Sequence, residues 1–505
     1  MELAMRKLNI GCFHKVWEDN FVREETTEAV VSDVLPDIGT IVDVSGVVCL
    51  RSKEAKQGEC GLAATVHAAV IYQPEGERRM RKLEVALPIT ASAEAGAVDE
   101  SCSLVVRLKL CSIDAKAVNP RKVLLRAEVY VEMAAFREGQ IGIVGALEDA
   151  GGFQVNVKEG TAEFTAAVTV REKTFVLSDE YNLPASRPPM SELLAKRAEL
   201  SLEDVKSVGN KLIFKGAALL TLLYVAAGEA ELQSVDFSTG FSQIIEMERP
   251  MDGLHVNLSM ALTGIYLDQM GPESRQISVE LHIVAQAVGE EDIRLPFVED
   301  AYCNEHPLSL SRDSLELRRS ERPLSLRETL REQLETQSPA RELICAWALP
   351  SPVSVEDGNL RADVIVRALY RAEDGAVGAA GGRYTVKAQA PAEGGIKFTN
   401  CAVTCTETYA APSSGGLELR VLLDFTASAV RDLRIDPVSA MNLDTEAQPS
   451  MQNRPSVTVL PARQQHSVWA LAKKYGSTPD LIRAANEIGE ADNIGGKLLL
   501  IPRAR

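Results

Sequence analysis

The chain reads as a mainly β multidomain protein: three repeated antiparallel β-rich domains, then a small C-terminal βααβ unit. Three observations predict this. An apolar run ending in an aliphatic-Tyr pair recurs at Ile71-Tyr72, Leu223-Tyr224 and Leu369-Tyr370. About fifty residues beyond each Tyr, a segment alternates apolar and polar side chains with period two, placing one face on a core and one in water. Residues 454–505 then change character, with helix caps and eight Lys/Arg against four Asp/Glu.

Composition bounds the possibilities. The 505 residues suffice for about three to five domains. With 54 Lys+Arg against 71 Asp+Glu the net charge is −17, unlike a nucleic-acid binder, which needs a basic face to neutralise phosphates. Hydrophobic residues make up 46%, so a buried core is feasible. No apolar run reaches the roughly 18 residues of a transmembrane helix. Glu2, Arg6 and Lys7 precede no apolar stretch, so no secretory signal is expected and the protein should stay in the compartment where it is made. Nine cysteines, an odd number with no Cys-x-x-Cys pair, point to free thiols in a reducing cytosol.

The first β domain is placed at 27–150. It starts near Pro36-Asp37-Ile38-Gly39-Thr40-Ile41, passes Tyr72 into the turn Gln73-Pro74-Glu75-Gly76, and ends on a strand with Val123, Leu125, Ala127, Val129 and Val131 on one face. The second is placed at 165–290, with the start Pro189-Met190-Ser191-Glu192-Leu193-Leu194 and the late strand Ile277-Ser278-Val279-Glu280-Leu281-His282-Ile283. The third, at 320–432, is the most divergent. Its candidate start is Pro323-Leu324-Ser325-Leu326, and its late strand begins Leu417-Glu418-Leu419-Arg420-Val421. The segment 308–335, rich in Arg, Glu and Leu, reads as helical. Residues 433–453, with Pro437 and Pro449, read as a flexible linker.

In the tail (454–505), Val457-Thr458-Val459-Leu460 is a short β run. Ser467 can cap a helix whose apolar face is Val468, Leu471, Ala472 and Tyr475. Lys473 and Lys474 suit its C-terminal dipole, and Gly476 stops it. Thr478 caps a second helix with Pro479 at its first position, burying Leu481, Ile482 and Ala485. Gly495-Gly496 turns into the strand Leu498-Leu499-Leu500-Ile501.

The blocks Ser467-Val468-Trp469-Ala470-Leu471-Ala472-Lys473-Lys474-Tyr475-Gly476, Leu481-Ile482-Arg483-Ala484-Ala485-Asn486 and Gly496-Lys497-Leu498-Leu499-Leu500-Ile501-Pro502 resemble a LysM domain. That resemblance implies binding of N-acetylglucosamine polymers in a groove between the loops after the first strand and before the second. Gln465, His466 and Ser467 form the possible glycan-groove lip, but the first two stand where the family usually has Gly-Asp. That change in the lip argues against glycan binding and leaves protein binding open. A protein-facing surface would use Trp469, Lys473, Lys474, Tyr475 and Ile488. Trp469 and Tyr475 have the competing role of filling a small core.

The β domains resemble the SPOCS domains associated with spore coat assembly. The resemblance is carried by Leu35-Pro36-Asp37-Ile38-Gly39-Thr40-Ile41, the Tyr72 and Tyr224 strand ends, Asn119-Pro120-Arg121-Lys122-Val123 and Lys173-Thr174-Phe175-Val176-Leu177. Three such repeats with a terminal LysM are similar to the SipL-like spore coat morphogenetic proteins. This implies a cytoplasmic protein of the mother cell, at the forespore surface. There it would be a scaffold binding a SpoIVA-like coat morphogenetic ATPase through its LysM, and other coat proteins besides. The alternative implied by LysM alone is a peptidoglycan-binding protein of wall or cortex.

No enzyme is expected. The six histidines (14, 67, 255, 282, 306, 466) are scattered, and no nucleophile elbow, Walker loop, His-x-x-x-His pair or nucleotide fingerprint is present. No catalytic residue, metal site or cofactor is therefore assigned.

Overall fold

The computed structural model describes residues 1–228, 231–250, 252–270, 275–321, 323–390, 394–447, 455–463, 466–489 and 494–504. The described chain is mainly β, in antiparallel sheets, with two short helices in the tail.

The first strand group holds β1 (Ala4–Val30), β2 (Ile38–Lys56), β3 (Glu59–Pro74), β4 (Arg81–Glu94), β5 (Ser103–Asn119) and β6 (Lys122–Asp149). β2-β3-β4 form one sheet; β5 and β1 flank β6 in another. Val66, Val70 and Tyr72 of the first sheet meet Val123, Leu125, Ala127, Val129 and Val131 of the second in one core. These are the residues whose period-two spacing predicts an inward face.

The second group repeats this order with β7 (Val155–Asn182), β8 (Met190–Val208), β9 (Lys211–Ala226), β10 (Leu232–Glu246), β11 (His255–Met270) and β12 (Gln276–Cys303). β8-β9-β10 face β11-β12-β7, with Leu220, Leu222 and Tyr224 against Ile277, Val279, Leu281 and Ile283.

The third group comprises β13 (Leu308–Arg312), β14 (Leu315–Ser320), β15 (Leu324–Leu334), β16 (Ala340–Pro350), β17 (Ser354–Glu356), β18 (Asn359–Ala372), β19 (Val377–Ala388), β20 (Ile396–Ser413), β21 (Gly416–Ile435) and β22 (Val438–Leu443). Here β16, β17 and β19 pair with β18, while β14, β15 and β20 pair with β21.

Three hairpins share one register. In β2/β3 the pairing slips between Ile38 and Thr40 and again between Ile41 and Asp43. In β8/β9 it slips between Met190 and Glu192 and between Leu193 and Ala195. In β16/β18 it slips between Ala340 and Glu342 and between Leu343 and Cys345. Each slip adds a residue and re-aims the strand. The bulges turn Leu194, Ala195 and Cys345 toward Ile71, Leu223 and Leu369, with Val42 and Ile344 alongside, in one cluster shared by all three groups. The tyrosine of each aliphatic-Tyr pair points the other way, into its own group's core. At this junction Asp43, 2% exposed, pairs with Arg197 at 3.0 Å and Arg367 at 3.7 Å, and Arg197 stacks on the Trp347 ring at 4.1 Å.

Long strands extend past the cores as ribbons. The first part of β1 pairs with the end of β6, and the first part of β7 with the end of β12. β13 and β14 pair with β22 and the end of β21. A dozen paired residues span roughly 40 Å. The ribbons pack on one another through Leu3, Val144, Val298, Ala301, Val438, Met441 and Leu443 at one level, and Cys12, Ile143, Phe164, Phe297 and Leu317 at another. We call this bundle the stalk.

Several expectations need correction. Residues 308–335 are strands, not helix. Their leucines fall two apart (308 and 310, 315 and 317, 324 and 326), and β21 and β22 supply the pairing partners that outweigh helix-friendly composition. Within 433–453, β21 runs on to Ile435, and β22 buries Val438, Met441 and Leu443 in the stalk; residues 448–453 lie outside the described residues. Residues 4–26 belong to β1, since their alternation at Leu8, Ile10 and Cys12 serves the stalk. The proline matching Pro36 is Pro188: Tyr72 and Tyr224 each donate a hydroxyl hydrogen bond to these two carbonyls, both at 3.1 Å. In the third group, Pro339 accepts from Glu373 N as Pro189 accepts from Ala227 N, so Pro323 is not the third start.

Candidate partner-binding site

The tail folds as β23 (Val457–Pro461), α1 (Val468–Tyr475), α2 (Pro479–Asn486) and β24 (Leu498–Pro502), with β23 and β24 antiparallel. Ser467 accepts from Ala470 N at 3.1 Å and Thr478 from Leu481 N at 3.2 Å, satisfying first-turn amides that the helices leave unpaired. Gly476, at φ 67°, supplies the left-handed stop of α1. Asn486 ties α2 to β24: its Nδ2 donates to Leu500 O at 2.6 Å and its Oδ1 accepts from Leu500 N at 2.7 Å. Leu471, Ala472, Ile482, Ile488, Ile494, Leu499 and Ile501 form the core.

The candidate surface residues separate into three kinds. Ile488 is buried, filling the core beyond α2; it offers no surface. Leu481 and Ala485, expected to be buried, are exposed, because α2 packs through Ile482 alone. Lys474 is exposed and lies over the half-buried Tyr475 ring at 5.4 Å. His466 accepts at Nδ1 from Arg463 N at 3.2 Å, Ser467 serves the cap, and Gln465 lies outside the described residues.

Trp469 and Lys473 face the stalk. Lys473 Nζ donates to both Asp300 oxygens, at 2.7 and 2.9 Å, and Trp469 Nε1 donates to Asp300 Oδ2 at 2.8 Å. Burial pushes the Asp300 carboxyl up, but those hydrogen bonds and the Lys473 charge outweigh it and hold the pKa low. The Tyr302 ring meets Trp469 edge-on at 4.9 Å, and its hydroxyl donates to Ser477 O at 2.9 Å. Asn304 Nδ2 reaches the same carbonyl at 3.3 Å. Burial, helped by the Asp300 and Asp480 carboxylates, pushes the Tyr302 phenol up, so it stays a donor. Asp300, Tyr302, Asn304 and Ser477 carry no sequence signal of this role, because the partners are about 170 residues apart.

Elsewhere, a cleft of about 570 Å³ between the first and second groups is lined by His67, Lys82, Glu84, Lys196 and Asp268. Within it Lys82 pairs with Glu84 at 2.7 Å, Arg51 bonds His67 at 2.8 Å, and Lys196 donates to Ile265 O at 3.3 Å. Among the described residues no His, Cys, Asp and Glu cluster could hold a metal ion, and no helix is long and apolar enough to cross a membrane. All nine cysteines are free.

Residues 189–268 match the family model for SipL, SPOCS domain. The match spans β8, β9, β10 and most of β11, so this part of the second group is similar to the SPOCS domain of SipL. No curated protein and no solved structure matches the chain.

Proposed function

We propose that the chain is a non-enzymatic scaffold of spore coat assembly, built from three copies of one SPOCS-type unit. Its LysM-like tail binds a SpoIVA-like coat morphogenetic ATPase at the mother-cell face of the forespore. The observation that carries the reading is the SPOCS match over the second group, together with the double-slip hairpin that this group shares with its two neighbours. Three units joined through one apolar cluster and a stalk suit a spacer that holds partners at set positions. The titratable side chains support binding over turnover, since they are used in structural pairs: His67 with Arg51, His255 with Asp292, and His282 with Glu280. The basic tail against an acidic body favours a partner with an acidic docking surface, through contacts that weaken with salt.

The test is imaging of the tagged full chain in sporulating cells, with recovery of the ATPase in its pull-down. The expected result is a ring at the forespore that disappears, along with the ATPase, when 454–505 is deleted. A tail that binds murein and leaves the ATPase in the flow-through overturns the proposal.

A further inference from the structure

The tail surface that would hold a partner is already filled by the chain's own β12. Asp300 and Tyr302 lie two apart on a strand, so they share a face. The tail reads them with three groups: the Lys473 ammonium and the Trp469 indole N–H on the carboxylate, and the Ser477 carbonyl, with the Trp469 ring edge, on the phenol. Tyr302 is 5% exposed and packs into the tail's core cluster, so this is a seated side chain rather than a glancing contact.

We propose that this surface of the tail recognises an extended segment presenting a carboxylate and, two residues on, a phenol, and that Asp300-Ala301-Tyr302 is the internal stand-in a partner must displace. The inference rests on the proposed partner-binding role of the tail and specifies the chemistry of the partner. The segment must be a strand, because only there do residues i and i+2 project together at the spacing that Lys473 and Ser477 require. The carboxylate is needed to satisfy two charged or polar donors at once. The phenol is needed because Ser477 O accepts a hydrogen bond that phenylalanine cannot donate. Since the internal segment is tethered, it competes at high effective concentration, and apparent affinity for an outside segment falls by the fraction of tail left open.

The probe is a fluorescent peptide with the sequence of residues 296–304, Ser replacing its Cys, titrated against the full chain by anisotropy. The native chain should bind it weakly. The double variant Asp300→Ala/Tyr302→Ala should bind about tenfold or more tightly, as expected when a closed fraction opens. Asp300→Asn, which leaves the Tyr302 ring in place, should give a smaller gain in the same direction. Adding Lys473→Ala should remove the gain in both, and a peptide with Phe for the Tyr should bind less well than its parent. No gain in either variant, or a gain that survives Lys473→Ala, overturns the inference. The assay contains no coat protein. Recovery of the ATPase with a failed peptide titration refutes this recognition chemistry and leaves the scaffold role standing; the reverse result does the opposite.

Discussion

At the residue scale, Asp300 decides how the tail sits on the stalk. Its folded pKa is depressed, so it stabilises docking above its unfolded value of about 3.9 and loses that contribution as pH falls through the folded value. A tail label and a stalk label should stay close from neutral pH down to about pH 5 and separate only below about pH 4. Separation between about pH 6 and pH 7 would assign the control to a histidine instead. Lys109 acts in the same sense but in an alkaline window. It links the first and third groups by donating to Val403 O at 2.7 Å, and burial lowers its pKa to about 8. Above that value the fold has released a proton that the unfolded chain keeps up to about 10.4, so stability rises with pH across this window. Subtracting the melting temperatures of Lys109→Met from those of the native chain, from about pH 8 to about pH 10, should leave a positive slope; a flat difference refutes it. The same scale explains the recurring aliphatic-Tyr pair. Adjacent strand residues face opposite ways, so Ile71, Leu223 and Leu369 reach the common cluster while Tyr72, Tyr224 and Tyr370 fill separate cores.

At the element scale, the caps set the stability of a tail whose helices are eight residues each. Ser467→Ala removes the acceptor for Ala470 N and should cost about 1 kcal/mol. The readout is amide exchange in α1, expected to quicken about fivefold while β6 amides stay unchanged. An equal acceleration in β6 would mean global unfolding and contradict a local role. Elements like these were legible because their signals are local: caps and stops for α1 and α2, and alternation at Val123 to Val131, Ile277 to Ile283 and Leu417 to Phe425. What escaped was decided by distant pairing. Residues 308–335 have the composition of a surface helix, yet β21 and β22 claim them as strands. Asp436 and Pro437 interrupt the strand for only two residues before β22 begins. The site divides the same way. Trp469 and Lys473 stood out locally, whereas Asp300, 169 residues from Trp469, became visible only when the ribbon of β7 and β12 reached the tail.

At the scale of the whole molecule, three similar hairpins meet at positions that the register makes equivalent but the sequence does not. Ser45, Arg197 and Trp347 occupy one such set, paired with Ala69, Thr221 and Arg367. At this register position the second group offers Arg197, which reaches Asp43 at 3.0 Å, and the third offers Trp347 for it to stack on, while Arg367, also of the third group, reaches Asp43 at 3.7 Å as second cation. The contact therefore accepts one cyclic order of groups and rejects the others, the kind of registry role to which buried ion pairs are best suited. Asp43 is buried enough that desolvation pushes its carboxyl up despite both arginines, so its charge depends on their presence. Asp43→Ala takes from the half-buried Arg197 guanidinium its carboxylate partner and should destabilise by about 3 kcal/mol. The exposed Asp114→Ala, which removes another partner of Arg367, should cost less than about 1 kcal/mol. Because Asp43 sits where the three groups meet, its loss should speed amide exchange in β3, β9 and β18 together. Protection lost in β3 alone would show that the groups are stable independently, and that the stalk rather than the junction holds them in order.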